Sequence, residues 1–524
     1  MTAKRKPLMK GLISLALLLA VAPSVHAQTS NSRDTNLDRI AEAVNAINQG
    51  ELTQAGALLS SVLNASPNDA DALSLLGVVR AKQDRVPEAE RLFRRALATS
   101  PSHLGAHINL GELFLTTNRP EQAMQILLRA HKLAPERPEI NLNLATLYAD
   151  KGDYQQARQY LRLVPRNAFT DDYFIVLLRS LIGLKQLDEV HALVRQFQQS
   201  NSGTPETQAE FAMLLVKAGR NDDALNILNT ARQNATSFPI VYALGVVSAA
   251  LEQYDKAEEY LTAALTIKPG DVATLRALAR VARATKNFEK ALSHLMEARR
   301  VAPDSPAVLY DFGVTTLQMG LVLDALPVFE RLHRDHPREP AYLYGLAAAR
   351  WKKGEVVETT RLMNTYVALQ PRDASGFYLL GAALLRQQRI PEARAALQRS
   401  LALKADADTE YLIGMSFEQA GDHASAINTF RRVIQSRPHH AAAHAALGAV
   451  YREAGNFAEA RSELERAIEL DANDLKANYQ LGLVYAKLGE KEAAKKMFDR
   501  ADDLRSRQRD QESVILKLID APQQ

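Results

Sequence analysis

Apolar residues along this chain return with a period of 34. In the stretch from Ala70 to Pro101, counted as positions 1 to 32, Leu73, Leu76 and Gly77 fall at positions 4, 7 and 8, and Ala89, Phe93 and Ala96 fall at 20, 24 and 27. Each set lies on one face of a 3.6-residue helix. The interval between the two sets suits a tight turn, so each unit reads as two antiparallel helices.

The template fits from starts at Asn36, Ala70, Leu104, Pro138, Asp171, Pro205, Phe238, Val272, Pro306, Pro340, Ala374, Ala407, Ala441 and Leu475, which makes fourteen units. Position 8 is small in most of them, as at Gly77, Ala145, Gly313 and Gly381, and position 20 is alanine from Ala55 to Ala494 except at Val190 and Thr359. Small residues there let two helix backbones approach. Glycine at position 15 (Gly152, Gly219, Gly320, Gly354, Gly421, Gly455, Gly489) marks the end of the first helix, where a left-handed residue is needed. Proline at position 32 (Pro67, Pro101, Pro135, Pro269, Pro303, Pro337, Pro371) ends the second.

From Asn36 to Leu504 this combination resembles the tetratricopeptide repeat family. The resemblance implies an all-α fold, a right-handed superhelical solenoid of about fourteen helix-turn-helix repeats. It also implies an adaptor that binds peptides or proteins on its concave side. Register is weakest between Val164 and Glu206, where Pro165 comes early and residues 198–205 read QQSNSGTP. We therefore expect an N-terminal group over 36–168, a C-terminal array over 169–503, and a capping helix and tail over 504–524 whose apolar residues Val514 to Ile519 cover the open end.

Composition narrows the setting. Lys4, Arg5, Lys6 and Lys10 precede an apolar run from Leu12 to Ala22, and Val25-His26-Ala27 offers a cleavage site. Residues 1–27 read as a signal peptide and 28–35 as a polar leader, so the mature chain is expected in the bacterial periplasm or secreted after cleavage near Ala27. No later apolar stretch approaches the length of a membrane span. The chain has no cysteine, which excludes disulfides and a lipid-modified N-terminal cysteine. Of 64 basic residues four lie in the leader, leaving sixty against 60 acidic ones, so no nucleic-acid partner is expected.

The resemblance assigns positions 2, 5, 6, 9, 12 and 13 of each first helix to the concave groove. Position 5 is Tyr242, Arg276, Tyr310, Tyr344, Tyr378, Tyr411, Ala445 and Tyr479 from the seventh unit onward, against Ser74, Ile108 and Leu142 earlier. Such rings form a ladder for an extended ligand, or pack on the neighbouring repeat. Arg276, Arg280 and Arg283, at positions 5, 9 and 12 of one helix, form a stripe suited to a carboxylate or phosphate. Trp351, the single tryptophan, stands at position 12 to stack a ligand or to fill the core. The asparagine ladder of the O-linked N-acetylglucosamine transferases has only Asn109 and Asn143 as counterparts at position 6.

No constellation for catalysis emerges. His439, His440 and His444 lack the further ligands of a metal centre, and Asp171-Asp172 and Asp222-Asp223 fall where helices start. We expect no catalytic residues, no metal and no cofactor. The sequence reads as a noncatalytic scaffold of the cell envelope that holds an extended polypeptide or assembly partner in the concave groove of its C-terminal half. The alternative is an accessory subunit of a polysaccharide synthesis or secretion machine, with a groove that meets glycan.

Overall fold

The computed structural model describes residues 30–200, 203–234 and 237–507. The expected signal peptide and the apolar part of the expected cap lie outside the described residues. Those residues form 28 α-helices and one short 3-10 turn, with no strand among them. The helices pair in chain order. Most first helices run 13 residues, as in Ala70–Lys82, and most second helices run 14, as in Val86–Thr99. The first of all, Ser30–Gln49, starts ahead of Asn36 because no proline or glycine stands in the expected leader to stop it.

Local signals set the ends. Asp69, Asp271, Asp406 and Asp474 cap first helices by accepting from backbone N–H groups three residues on, at 2.9 to 3.0 Å. At the other end every one of the fourteen position-15 residues is left-handed, with φ from 57° to 85°. Eight of these are glycines, now including Gly50, and six are Asp84, Asn118, Lys185, Glu252, Lys286 and Gln388. The motif persists without glycine because the next amide reaches back to the helix, as Arg85 N does to Arg80 O at 2.9 Å.

Position 8 is small for a more specific reason than backbone approach. A Cβ on Gly414 would lie 2.4 Å from the ring of Phe430, and one on Gly381 2.5 Å from Leu397. The side chain at position 24 of the same repeat occupies that space. Backbone is near as well, with Ala393 O 3.2 Å from the same Gly381 Cβ.

The chain divides into two compact units, Met1–Ile267 and Lys268–Gln524. Within each, consecutive first helices touch more closely than consecutive second helices, so the first helices form the inner row. The stretch of weak register lies inside the first unit. There Tyr154–Leu161 is only 8 residues long and is followed by the 3-10 turn Arg166–Ala168. The core nevertheless runs through it: Phe174 meets Phe197 edge-on at 5.4 Å, and Phe197 stacks on Phe211 at 4.2 Å.

Candidate functional site

Two polar contacts join consecutive first helices of the inner row. Asn109 Nδ2 donates to Ser74 Oγ at 3.3 Å in the first unit, and Arg276 Nε donates to Asp311 Oδ2 at 2.6 Å in the second. Both join position 5 of one repeat to position 6 of the next. Tyr310, Tyr344 and Tyr378 stand at position 5, and Gly345, Leu379 and Leu412 at position 6 of the repeats that follow.

In the second unit this geometry closes part of the inner face. Tyr310, Tyr344, Tyr378 and Trp351 are only 1 to 4% exposed. Their neighbours on that face, Ala307, Val314, Ala341, Ala348 and Ala382, are buried as well. The tyrosine rings pack in one apolar cluster with Ala341, Ala348 and Ala382. Tyr310 meets Phe329 at 6.0 Å and Tyr344 meets Tyr366 at 5.3 Å, both edge-on, while the Arg386 guanidinium lies 4.8 Å from the Trp351 ring. The rings from Tyr310 to Tyr378 are therefore packing elements in this structure.

Their hydroxyls share this environment. Tyr366 donates to Asp373 Oδ2 at 2.6 Å, whereas the buried Tyr344 hydroxyl has no partner. Burial pushes the phenol of Tyr344 far above its usual range, with the Asp373 charge adding to it.

Other predicted site residues keep open surface. Tyr242 is half-buried and stacks on Phe238 at 5.9 Å, and Tyr411 is half-buried between Phe430 and His440. Tyr479 is 42% exposed. The arginine stripe is divided, for Arg276 is neutralised by buried Asp311, Arg283 is half-buried and Arg280 is exposed.

The first unit presents a different inner row. Asn109, Glu112, Asn143, Thr146, Arg179 and Glu210 are all half-buried there. Burial, with the Glu139 charge, pushes the Glu112 carboxyl up to about 7, and burial also raises Glu210. Arg179 pairs with Asp150 at 2.6 Å. Sequence reasoning passed over these carboxylates because it followed aromatic rings; their signal was their place at positions 6 and 9.

Two family models, both described as tetratricopeptide repeat, match this architecture. One covers residues 40–103, 108–169, 210–272, 310–358 and 361–408, and the other 80–130, 248–310, 418–475 and 451–510. The chain belongs to the tetratricopeptide repeat family. Neither model covers the unit at 171–204, where the register is weakest.

Tetratricopeptide repeats build protein-interaction scaffolds, and one solved structure agrees in fold over most of the chain. The chain is similar to one described as "APC/C hetero-tetramer Cut9-Hcn1", with 15% identity, a TM-score of 0.51, and coverage of 90% of this chain and 96% of that one. It is also similar to a tetratricopeptide repeat protein from Parabacteroides merdae, with 15% identity, a TM-score of 0.38, and coverage of 47% of this chain and 99% of that one. No curated protein matches the sequence.

His440 and His444 of this tetratricopeptide repeat protein have structural roles. His440 Nδ1 accepts from Ala443 N at 3.1 Å, and His444 Nδ1 lies 2.6 Å from Glu463 Oε2. Among the described residues no group of three potential metal ligands occurs, and no helix is long and apolar enough to cross a membrane.

Proposed function

We propose that the protein is an exported scaffold that holds an extended polypeptide along the inner face of its first unit. The carrying observation is the contrast between the two inner rows: polar and half-open at Asn109, Glu112, Asn143 and Glu210, but buried from Ala307 to Leu385 at positions 2, 5, 9 and 12 except at Ser375. Side-chain amides at Asn109 and Asn143 can donate to and accept from a peptide backbone, and the carboxylates suit basic side chains. Export rests on the basic and apolar leader ahead of Gln28. The polypeptide groove expected in the C-terminal half and the glycan reading both rested on an open row of tyrosine rings, and burial of Tyr310, Tyr344 and Tyr378 takes that support from each.

The test is capture of partners from envelope extract on the chain beginning at Gln28, beside a folded variant carrying Asn109→Ala and Asn143→Ala. Loss of one specific partner in the variant is the expected result. Identical capture by both proteins would overturn the inner-face site. N-terminal sequencing of the protein from its source tests export independently, since a chain that retains Met1 in the cytoplasm would defeat it.

A further inference from the structure

We propose a second binding surface on the outer side of the first unit: a leucine-lined cleft beside the short helix Tyr154–Leu161 that takes an acidic segment of a partner protein, anchored by a large apolar side chain. This surface does not depend on the inner-face reading.

Its origin is Pro165, four positions ahead of the usual helix-ending proline. Proline has no N–H to continue the helix and disfavours helical geometry at the residue before it. The helix accordingly ends at Leu161, well short of the 14 residues of Pro120–Leu133 in the preceding repeat. A cavity of about 230 Å³ lies between its end and the helix Leu187–Gln199, with Asp171–Gly183 as the floor.

The cavity has two chemical parts. Leu161, Leu177, Leu181 and Leu193 line the well. At about 30 Å³ per water, the space equals roughly eight waters, enough for one or two large side chains and smaller than most small-molecule sites. Arg162, on the rim, and neighbouring Arg166 are exposed, and neither has a carboxylate partner among the described residues. Glu189 is the only acidic residue lining the cleft, and Arg158 already engages it. An apolar well bordered by unpaired guanidinium groups complements an apolar anchor with a carboxylate beside it.

The probe is a fluorescein-labelled peptide with a phenylalanine–leucine pair flanked by aspartates, titrated into the full mature chain by fluorescence anisotropy. We expect saturable binding, at least tenfold weaker for the lysine-flanked counterpart. Ala192→Trp, which fills the cleft from its exposed wall, and the pair Arg162→Glu with Arg166→Glu should each weaken binding at least tenfold without moving the unfolding midpoint. If Ala192→Trp perturbs folding, the charge-reversal pair carries the test. Absence of saturable binding, equal binding of the two peptides, or binding kept by the charge-reversal pair and lost with Asn109→Ala and Asn143→Ala would each overturn the proposal.

Discussion

Arg276 and Asp311 form an ion pair between consecutive inner helices, with Nε 2.6 Å from Oδ2 and the aspartate side chain 2% exposed. The second oxygen of Asp311 has no partner, so the whole balance of this buried carboxylate depends on one guanidinium. Removing one member of a buried pair costs about 3 to 5 kcal/mol, because the other charge stays behind. Arg276→Ala is expected to lower the urea midpoint of the second unit accordingly. Arg276→Leu combined with Asp311→Leu should cost much less. Equal losses in the two variants would mean that packing rather than charge governs this contact.

Tyrosines at the same repeat position are predicted to behave differently. Tyr344 is 1% exposed and Tyr479 42%. Tyr344→Ser should destabilise by about 3 to 5 kcal/mol, as large-to-small changes of buried aromatics do. Tyr479→Ser should stay within roughly 1 kcal/mol. Tyr344→Phe removes an unpartnered hydroxyl and is expected to be neutral or stabilising by about 1 kcal/mol. Thermal unfolding of the three variants checks the ranking.

The helix-ending turn offers a change in the opposite direction. Gln388 holds φ at 58°, a conformation that costs a residue with a Cβ about 1 kcal/mol or more. Gln388→Gly is therefore expected to raise stability by roughly 0.5 to 1 kcal/mol despite the added freedom of the unfolded chain. Gly414→Ala, whose methyl would meet the Phe430 ring at 2.4 Å, should instead destabilise by about 1 to 3 kcal/mol. Ala393→Leu belongs to the same class, since Ala393 is fully buried.

Glu112 gives a pH dependence whose sign follows from its raised carboxyl, at about 7 against 4.5 for the ordinary group. Below about pH 4.5 it is protonated in both folded and unfolded chains and has no effect. Between 4.5 and about 7 the folded chain holds the proton more tightly, so stability falls as pH rises. Above 7 the folded state carries a half-buried charge costing up to ~3 kcal/mol. Glu112→Gln should stabilise at pH 8 and leave stability at pH 4 unchanged. A gain of equal size at both pH values would assign the effect to something other than ionisation.

Much of this architecture was legible because repeats are local. Leu73, Leu76, Phe93 and their equivalents announce the two helices of each unit, and turn glycines and helix-ending prolines announce their ends. The left-handed turns at Lys185, Glu252, Lys286 and Gln388 were not legible, since helix closure imposes that conformation whatever the side chain. Nor was the cleft beside Tyr154–Leu161. An early proline predicts a short helix, but whether the gap stays open depends on what the neighbouring helices bring to it.

The sequence by itself determined the period, the helical hairpin, the small residues at position 8 and the family, because each follows from contacts within one repeat or between adjacent ones. Only the tertiary structure decided which inner residues reach solvent. Exposure depends on which side chains from neighbouring first and second helices meet over each inner position, and these come from different repeats. Tyr310 and Tyr344 are buried in an apolar cluster that includes Phe329, Ala341, Ala348 and Tyr366. Among the described residues, Asn109, Glu112 and Asn143 gather no such cluster over them and stay half-buried.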